Sequence, residues 1–331
     1  MTSGGEACSF APVGTWSHFF NLESRALPAG VFALEELSSP RLSELAADNA
    51  VVILPISPLE EHGPHLPLGT DAIHAAYFAR LSAGIIRELE PNTPVILAPL
   101  IPIGTHVYRF MGSIFIRQRA IRDLVIDYGR SLAKTGFKRF LIVSAHGGPG
   151  HMVALDEAAA YLCARNLYTV SLTSRLIFDM LSGKFVDAVS AALPTPLTED
   201  ERRAFSMDYH AGWFETAMML YLRPELVDPA HKDLPDALVP RWKLRPKTPL
   251  KPPAGQGYLG APGRANVEFA TACMRVLRDQ AKIVIAEFLR ADAPPAKFRS
   301  PLYRIPLFRT NRWVWAGIAI AIAVMVLRAL L

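Results

Sequence analysis

The sequence alternates short β-branched apolar runs with longer stretches of helical periodicity, and this alternation limits the fold more than any other feature. Strands are predicted at Val51–Ile56, Pro94–Ile103, Phe140–Val143 and Leu167–Leu172. Helices are predicted near Arg117–Lys134, Met152–Arg165, Ala211–Leu222 and Val267–Leu289. Strands that alternate with helices in this order indicate an α/β domain with a mainly parallel sheet. A ligand site is then expected at the carboxyl ends of the strands.

Charge is distributed unevenly along the chain. The 331 residues carry 35 Lys and Arg against 30 Asp and Glu, a net charge of +5. Six basic residues and no acidic one follow position 296, so the first 296 residues have a net charge of −1. A near-neutral body with a basic tail argues against a nucleic-acid partner. The six are Lys297, Arg299, Arg304, Arg309, Arg312 and Arg328.

The C-terminal residues 313–331 are apolar except for Arg328. As a helix they would reach about 28 Å, close to the roughly 30 Å of a bilayer core, which predicts a transmembrane helix. Basic residues before it place the rest of the chain on the cytoplasmic side. The prediction is therefore a membrane protein with a single-pass C-terminal anchor and a cytoplasmic catalytic domain. A hydrophobic helix buried in an oligomer is the alternative.

These features divide the chain into four predicted parts. Residues 1–45 form an N-terminal arm, and residues 46–290 form the α/β domain. Residues 291–312 form a Pro-rich basic linker, and residues 313–331 form the predicted anchor.

A first polar cluster leaves the first predicted strand, in the segment LPISPLEEHGPHLPLGTD. Glu60 and His62 are two residues apart, so in an extended backbone their side chains point to the same side. Prolines and glycines then turn the chain, which allows Asp71 to return to the same point. A surface loop with incidental charges is the plain alternative, and the density of Glu, His and Asp favours a metal site.

Two further clusters lie after the third predicted strand and at the start of a later helix. His146 stands in SAHGGPGH, where adjacent glycines allow close approach to a ligand. His210 and Glu215 stand in DYHAGWFE, which taken alone would be an ordinary capped helix. Oxygen and imidazole ligands without thiolate suit Zn²⁺, Mn²⁺ or Fe²⁺, and a shared carboxylate can hold two ions. The combined candidate ligands are Glu60, His62, Asp71, His146 and Glu215.

Taken together, these motifs resemble those of the creatininase (creatinine amidohydrolase) family. The family pattern E-x-H-G-P-H-L-P-L-x-T-D is matched from Glu60 to Asp71, and H-A-G-x-x-E-T is matched from His210 to Thr216. The family's glycine-rich N-G-H-G-G-N loop is similar to residues 144–149, and its F-P-G-T segment to residues 110–113. The resemblance covers roughly Val51–Leu222 and implies a Rossmann-like three-layer α/β/α fold, commonly assembled into hexamers.

The resemblance also implies a two-metal amidohydrolase site. It places Glu60 and His146 on one metal, His62 on the other, and Asp71 between the two. Glu215 is the remaining ligand candidate, and His210 resembles the residue that carries a proton to the leaving nitrogen. Zinc is the favoured metal, with manganese or iron as alternatives. The expected substrate is a small amide, either a cyclic amide or a formamide, whose C–N bond is cleaved by metal-activated water.

Three departures from the family pattern narrow the substrate. Creatininase has an acidic metal ligand two residues after the His of the glycine-rich loop, where this chain has Gly148; Glu215 is the expected replacement. Ser144 and Pro149 replace the flanking asparagines of that loop. No tryptophan occurs between Cys163 and Gly212, where creatininase covers its substrate with aromatic residues, so creatinine is disfavoured.

Two alternative functions stay open at this point. Residues 255–260, GQGYLG, match the G-x-G-x-x-G pattern of dinucleotide-binding oxidoreductases, although no strand precedes them. A membrane-tethered scaffold without catalytic activity is the second alternative, motivated by Gly148 and Pro149.

Overall fold

The computed structural model describes residues 27–243, 257–290 and 296–330. Within these residues the centre of the molecule is a parallel sheet of five strands in the order β1-β3-β2-β4-β5. The predicted mainly parallel α/β architecture is confirmed. The strands are β1 Val31–Ala33, β2 Val51–Pro55, β3 Val95–Leu97, β4 Arg139–Val143 and β5 Tyr168–Ser171.

Helices cover both faces of this sheet. Alternate residues of the central strand β2 pack against different helices: Ile53 lies in the core with α2 and α9, whereas Leu54 lies in the core with α3 and α4. Burial on both faces explains why this strand is an unbroken apolar run rather than an alternating one. The helices are α1 Ser39–Ala47, α2 Thr70–Leu89, α3 Gln118–Ala133, α4 Pro149–Cys163, α5 Leu172–Leu181, α6 Val186–Ala192, α7 Glu199–Ser206, α8 Trp213–Leu222, α9 Val267–Arg290 and α10 Arg312–Leu330.

The order of the strands creates a crevice at one edge of the sheet. The chain passes from β2 through α2 to β3 on one side, and then returns through α3 to β4 on the other side of β2. Ligands bind in open parallel sheets where the direction of winding reverses in this way. The carboxyl ends of β2 and β4 are therefore where a site is expected.

The described part of the predicted N-terminal arm belongs to this domain. Strand β1 pairs with β3 at the edge of the sheet, with Val31 opposite Val95. Leu45 of α1 packs in a core cluster with Val52 and Phe140. Residues 1–26 of the predicted arm lie outside the described residues.

The segment before α10 lies against α3 and α4. The backbone N–H of Ser300 donates to the buried Asp156 carboxylate at 2.8 Å. Gln118 Nε2 donates to the Phe308 carbonyl at 2.7 Å. Short 3-10 turns thus hold the described part of the predicted linker on the domain, while residues 291–295 lie outside the described part of the chain.

The predicted transmembrane helix is wrong. Throughout the described ranges, 27–243, 257–290 and 296–330, none of the helices is both apolar enough and long enough to span a bilayer. Between Arg312 and Arg328 the uncharged run is only 15 residues, which as a helix reaches about 22 Å against the roughly 30 Å needed. The prediction of a membrane localisation with a cytoplasmic catalytic domain falls with the anchor, as does the membrane as a partner.

Candidate metal centre

The sequence-predicted site residues converge at the crevice between β2 and β4. Glu60 and His62 lie in the loop after β2, and Asp71 lies in the first turn of α2. His146 follows β4, and Glu215 lies in the first turn of α8. Four of the five are buried, and the side chain of Glu215 is 15% exposed. Burying three carboxylates and two imidazoles costs free energy unless a partner compensates their charge.

One group of potential ligands consists of Glu60, Asp71 and His146, whose donor atoms all lie within 4.8 Å of one another. His146 Nδ1 is 3.0 Å from Glu60 Oε2 and 3.0 Å from Asp71 Oδ2. His146 Nε2 lies 3.1 Å from the Thr105 carbonyl, to which it can donate a proton. In the neutral ring, which is the form that binds a metal ion, this hydrogen bond leaves the lone pair on Nδ1, facing the two carboxylates.

A second group consists of His62, Asp71 and Glu215. His62 Nε2 is 3.5 Å from Asp71 Oδ1 and 3.6 Å from Glu215 Oε2. His62 Nδ1 is 2.9 Å from the Glu60 carbonyl, so the same logic leaves the lone pair on Nε2. The two oxygens of Asp71 therefore face two different histidines, one in each group.

The donor atoms of these groups include buried atoms that no hydrogen bond satisfies. Glu60 Oε2, His62 Nε2 and Asp71 Oδ2 are all of this kind, although the two carboxylate oxygens lie within ion-pair distance of His146. Polar atoms that are buried without a hydrogen bond are rare in proteins, and here they are all donors that a cation can bind. An oxygen and nitrogen donor set without thiolate fits Zn²⁺, Mn²⁺ or Fe²⁺.

The proton affinities of the site show how strongly it attracts positive charge. Burial alone would lower the pKa of His62, but the carboxylates of Asp71 and Glu215 raise it to about 10. The pKa of His146 is also raised well above its ordinary value, because Glu60 and Asp71 outweigh burial. Burial raises the pKa of Glu215 to about 8, against the opposing effect of His62. Protons and metal cations compete for such sites, so cation binding would release these protons.

His210 forms a third group of potential ligands with Glu60 and His62, and it is also bonded to the backbone. Its ring is 4.3 Å from the His62 ring, and its Nε2 is 2.8 Å from the Glu61 carbonyl. Burial lowers the pKa of His210 to about 4, with a further lowering from His62, so the imidazole is neutral near pH 7. A neutral ring that donates from Nε2 carries its lone pair on Nδ1. His210 can therefore accept a proton.

Local structure around α8 explains how His210 and Glu215 are positioned. The Asp208 carboxylate accepts the N–H groups of Trp213 and Phe214 at 2.7 Å each and so caps the helix. The backbone of His210 pairs with Leu259 in both directions, at 3.0 and 2.7 Å. Glu215 Oε2 accepts the N–H of Ala211 at 2.5 Å. These bonds fix both side chains relative to the loop after β2.

The GQGYLG segment forms one wall of this arrangement where the structure describes it, from Gly257 onward. Gly257 has a φ of +70°, and a Cβ there would meet the Glu61 carboxylate at 2.0 Å. Leu259 pairs with His210, and a 3-10 turn follows at Pro262–Arg264 rather than an α-helix. A dinucleotide-binding loop opens directly into an α-helix, and the described part of this segment, residues 257–264, ends in a 3-10 turn instead.

Gly148 stands where the resemblance implies an acidic ligand. A Cβ at Gly148 would lie 2.3 Å from His146 Nε2 and 3.0 Å from the His106 carbonyl. No side chain can therefore be added at this position without moving its neighbours. Glu215, 3.6 Å from His62 Nε2, brings a carboxylate to the second group from another element.

Sequence reasoning did not single out Tyr108, which also lies at the site. Its backbone N–H donates to Glu60 Oε1, and its ring is 4.7 Å from the His210 ring. Tyr108 stands two residues before Phe110, in a part of the chain where the family pattern gave no ligand. Its position depends on how the loop between β3 and α3 folds over the β2 loop, which residue spacing does not reveal.

The fold and the site together define a parallel α/β protein with a buried carboxylate and histidine centre at the point where the sheet reverses its winding. A family model described as Creatininase: Creatinine amidohydrolase matches residues 35–284, well over half of the chain. The chain belongs to the creatininase family. It is therefore a hydrolase of carbon–nitrogen bonds other than peptide bonds, as the motifs predicted.

Curated relatives support this membership. The mycofactocin precursor peptide peptidase of Mycobacterium tuberculosis is 30% identical over 220 residues, which cover 65% of this chain and 71% of that protein. The creatinine amidohydrolase of Pseudomonas putida is 23% identical over 261 residues, 76% of this chain and 94% of that one.

Solved structures share the fold. A structure named Creatininase Mn has a TM-score of 0.57 and 21% identity, covering 78% of this chain and 99% of that one. A mutant creatininase of Zn-Zn type has a TM-score of 0.55 and 22% identity, covering 80% and 98%. At these identities the similarity shows a common fold only. The manganese and zinc in the names belong to those proteins.

Proposed function

We propose that this chain is an amidohydrolase that uses two divalent metal ions to hydrolyse the C–N bond of a small amide, either a cyclic amide or a formamide. Glu60 and His146 would hold one ion, His62 and Glu215 the other, and Asp71 would give one oxygen to each. The observation that carries the proposal is the position of Asp71, whose two oxygens face different imidazoles at 3.0 and 3.5 Å. Zinc is the favoured metal, with manganese or iron as alternatives.

Bound ions of this kind polarise a carbonyl and acidify water. The residues of the chain supply the remaining steps. His210 Nδ1 is free to accept a proton from the attacking water, because Nε2 is engaged with the Glu61 carbonyl. The same imidazole then gives that proton to the leaving nitrogen. Glu215, bonded to the Ala211 N–H, would act both as a ligand and as the carboxylate that fixes the site next to His210.

The experiment that tests this proposal combines metal analysis with hydrolysis assays on the full chain. We expect about two transition-metal ions per chain and turnover of at least one compound in a panel of cyclic amides and formamides. Short peptides belong in the panel, because the Mycobacterium tuberculosis relative is named as a peptidase of a precursor peptide.

Asp71→Asn is the decisive variant for this proposal. We expect it to lose both ions and at least about 10³-fold of the activity, because an amide is a poor ligand and cannot bridge two cations. Asp187→Asn is the matched control, since the Asp187 side chain is 92% exposed. A folded wild-type protein that binds no transition metal would contradict the proposal.

The expected homo-oligomer, a hexamer in the family, stays a prediction. Sedimentation velocity of the full chain measures it directly, and a monomer would contradict it.

A further inference from the structure

Tyr108 is placed at the mouth of the metal centre by its own backbone. Its N–H donates to Glu60 Oε1, so the loop between β3 and α3 is attached to one of the proposed ligands. The Tyr108 side chain is partly exposed, whereas Glu60 is fully buried. The residue therefore stands between the buried Glu60 and the solvent.

The ring of Tyr108 continues a row of rings that leads inward. Its centroid lies 4.7 Å from the His210 ring, and the His210 ring lies 4.3 Å from that of the buried His62. Tilts of 59° and 40° show contact between neighbouring rings without parallel stacking. The Tyr108 ring is therefore a direct neighbour of the proposed proton carrier, His210.

The Tyr108 ring lies against a residue of the centre itself. The centroids of the Tyr108 and His210 rings are 4.7 Å apart, and His210 can form a ligand group with Glu60 and His62.

The site is rich in acceptors, and a substrate amide needs a donor. The carboxylates of Glu60, Asp71 and Glu215 accept hydrogen bonds, and the neutral His210 presents a lone pair at Nδ1. During attack by water, negative charge develops on the carbonyl oxygen of the amide. A neutral phenol donates one hydrogen bond and is protonated at neutral pH. A fixed donor aimed at such an oxygen typically accelerates amide chemistry by about 10²–10³-fold.

We propose that the Tyr108 hydroxyl donates a hydrogen bond to the carbonyl oxygen of the scissile amide, making Tyr108 a catalytic residue in addition to His210. The phenol keeps its proton throughout. It stabilises the oxygen while the C–O bond to water forms, and releases it when the carbonyl reforms and the C–N bond breaks. This inference rests on the proposed hydrolase function, and it adds a group that the family motifs do not contain.

Tyr108→Phe tests the inference, because it removes the hydroxyl and keeps the ring against His210. On the panel compound that the wild type hydrolyses, we expect kcat to fall by about 10²-fold with KM changed less than about threefold. Metal content should not change, since the bond to Glu60 comes from the backbone. Tyr128→Phe, in the middle of α3 and half-buried, is the matched control and should retain wild-type kcat.

A binding measurement gives a readout that does not depend on turnover. Acetohydroxamate carries a metal-binding carbonyl oxygen, and its affinity for the metal-loaded protein can be measured by calorimetry. We expect Tyr108→Phe to weaken it about tenfold, the typical value of one hydrogen bond.

The outcomes separate the two proposals. If the wild type binds metal and turns over an amide while Tyr108→Phe retains kcat within threefold and binds acetohydroxamate equally well, this inference is overturned and the hydrolase stands. If the wild type binds no metal and hydrolyses nothing, both are overturned. A Tyr108→Phe protein that loses metal would assign Tyr108 a structural role and would also overturn the inference.

Discussion

Two regions of the molecule carried strong signals in the sequence, but the structure agrees with the prediction for only one of them. The first comprises the site segments, residues 54–71, 144–151 and 208–216, which come together at one edge of the sheet. The second is the C-terminal segment, residues 296–330, which was predicted to be a linker and a membrane anchor. The site segments lie close together at the edge of the sheet. The part of the C-terminal segment before α10 lies on α3 and α4, and the predicted anchor is wrong.

The difference lies in the kind of information that each prediction used. The site was predicted from specific residues at fixed spacing after predicted strands, and a parallel sheet brings its strand ends to one edge. The anchor was predicted from the apolar character and the full length of residues 313–331, and that length was counted through Arg328. Position in a topology therefore constrains function more tightly than composition does.

The largest expected effect tests whether the site segments act as one centre. His210→Asn should lower kcat by about 10³-fold, because a neutral proton carrier contributes roughly 10²–10⁴-fold and its Nδ1 lone pair would be lost. Metal content should stay at the wild-type value, since His210 is proposed to move protons rather than to hold an ion. Steady-state kinetics and metal analysis on the same preparation check this. Loss of metal together with activity would place His210 among the ligands instead.

Glu215→Gln should have the next largest effect and should act on one ion. Glu215 Oε2 lies 3.6 Å from His62 Nε2, so the variant weakens the second group and leaves Glu60 and His146 in place. We expect metal content to fall from two ions per chain to one, and activity to fall by at least about 10²-fold. Glu225→Gln, with an exposed side chain just after α8, is the matched control. Retention of two ions would show that Glu215 does not replace the missing acidic ligand.

A smaller effect concerns the C-terminal segment and depends on pH. Asp156 is buried, accepts the Ser300 N–H, and has a pKa that burial raises to about 8. The folded protein therefore keeps a proton that the unfolded chain loses near pH 4. The free energy of unfolding should fall as pH rises from about 4 to about 8, by at most about 1.4 kcal/mol per pH unit from this group.

Asp156→Asn should remove this slope, because the amide oxygen still accepts a hydrogen bond and carries no proton to lose. Urea unfolding at pH 5, 6.5 and 8 checks it. The stability of the variant relative to the wild type should increase across the series. A constant difference between the two proteins would show that Asp156 is already ionised in the folded state at pH 5.

The smallest effect concerns a single contact of the same segment. Arg122 Nη1 donates to Thr310 Oγ1 at 2.7 Å, and Arg122→Ala should lower stability by about 1 kcal/mol with no change in metal content. Arg119→Ala on the same helix is the control, because its side chain is 77% exposed. Thermal unfolding of the two variants side by side distinguishes them. Equal melting temperatures would show that the Arg122 contact does not contribute to stability.

Much of the fold was accessible from the sequence, because long periodic stretches and β-branched runs are local signals. The patterns predicted the positions of three strands, β2, β4 and β5, and of four helices, α3, α4, α8 and α9. Helix α2 was missed, since its first turn carries Asp71 and belongs to a segment that was interpreted as a loop. Strand β1 is three residues long, too short to show a period.

The sequence predicted the residues of the candidate site that stand in motifs, but it did not predict the residues around them. Glu60, His62 and Asp71 follow from spacing within one segment. Tyr108 does not, because its place beside His210 depends on the contact between two loops. The space around Gly148 is likewise set by the His106 backbone and the His146 ring, which the sequence does not show.

Two cations that share Asp71 at the edge of the sheet should be visible by anomalous diffraction from crystals of the full chain grown with Mn²⁺. We expect two anomalous peaks about 3.5–4 Å apart, with Asp71 between them, His146 at one and His62 at the other. No peak at this position, or a single peak that Asp71 does not contact, would show that the two-cation centre does not form.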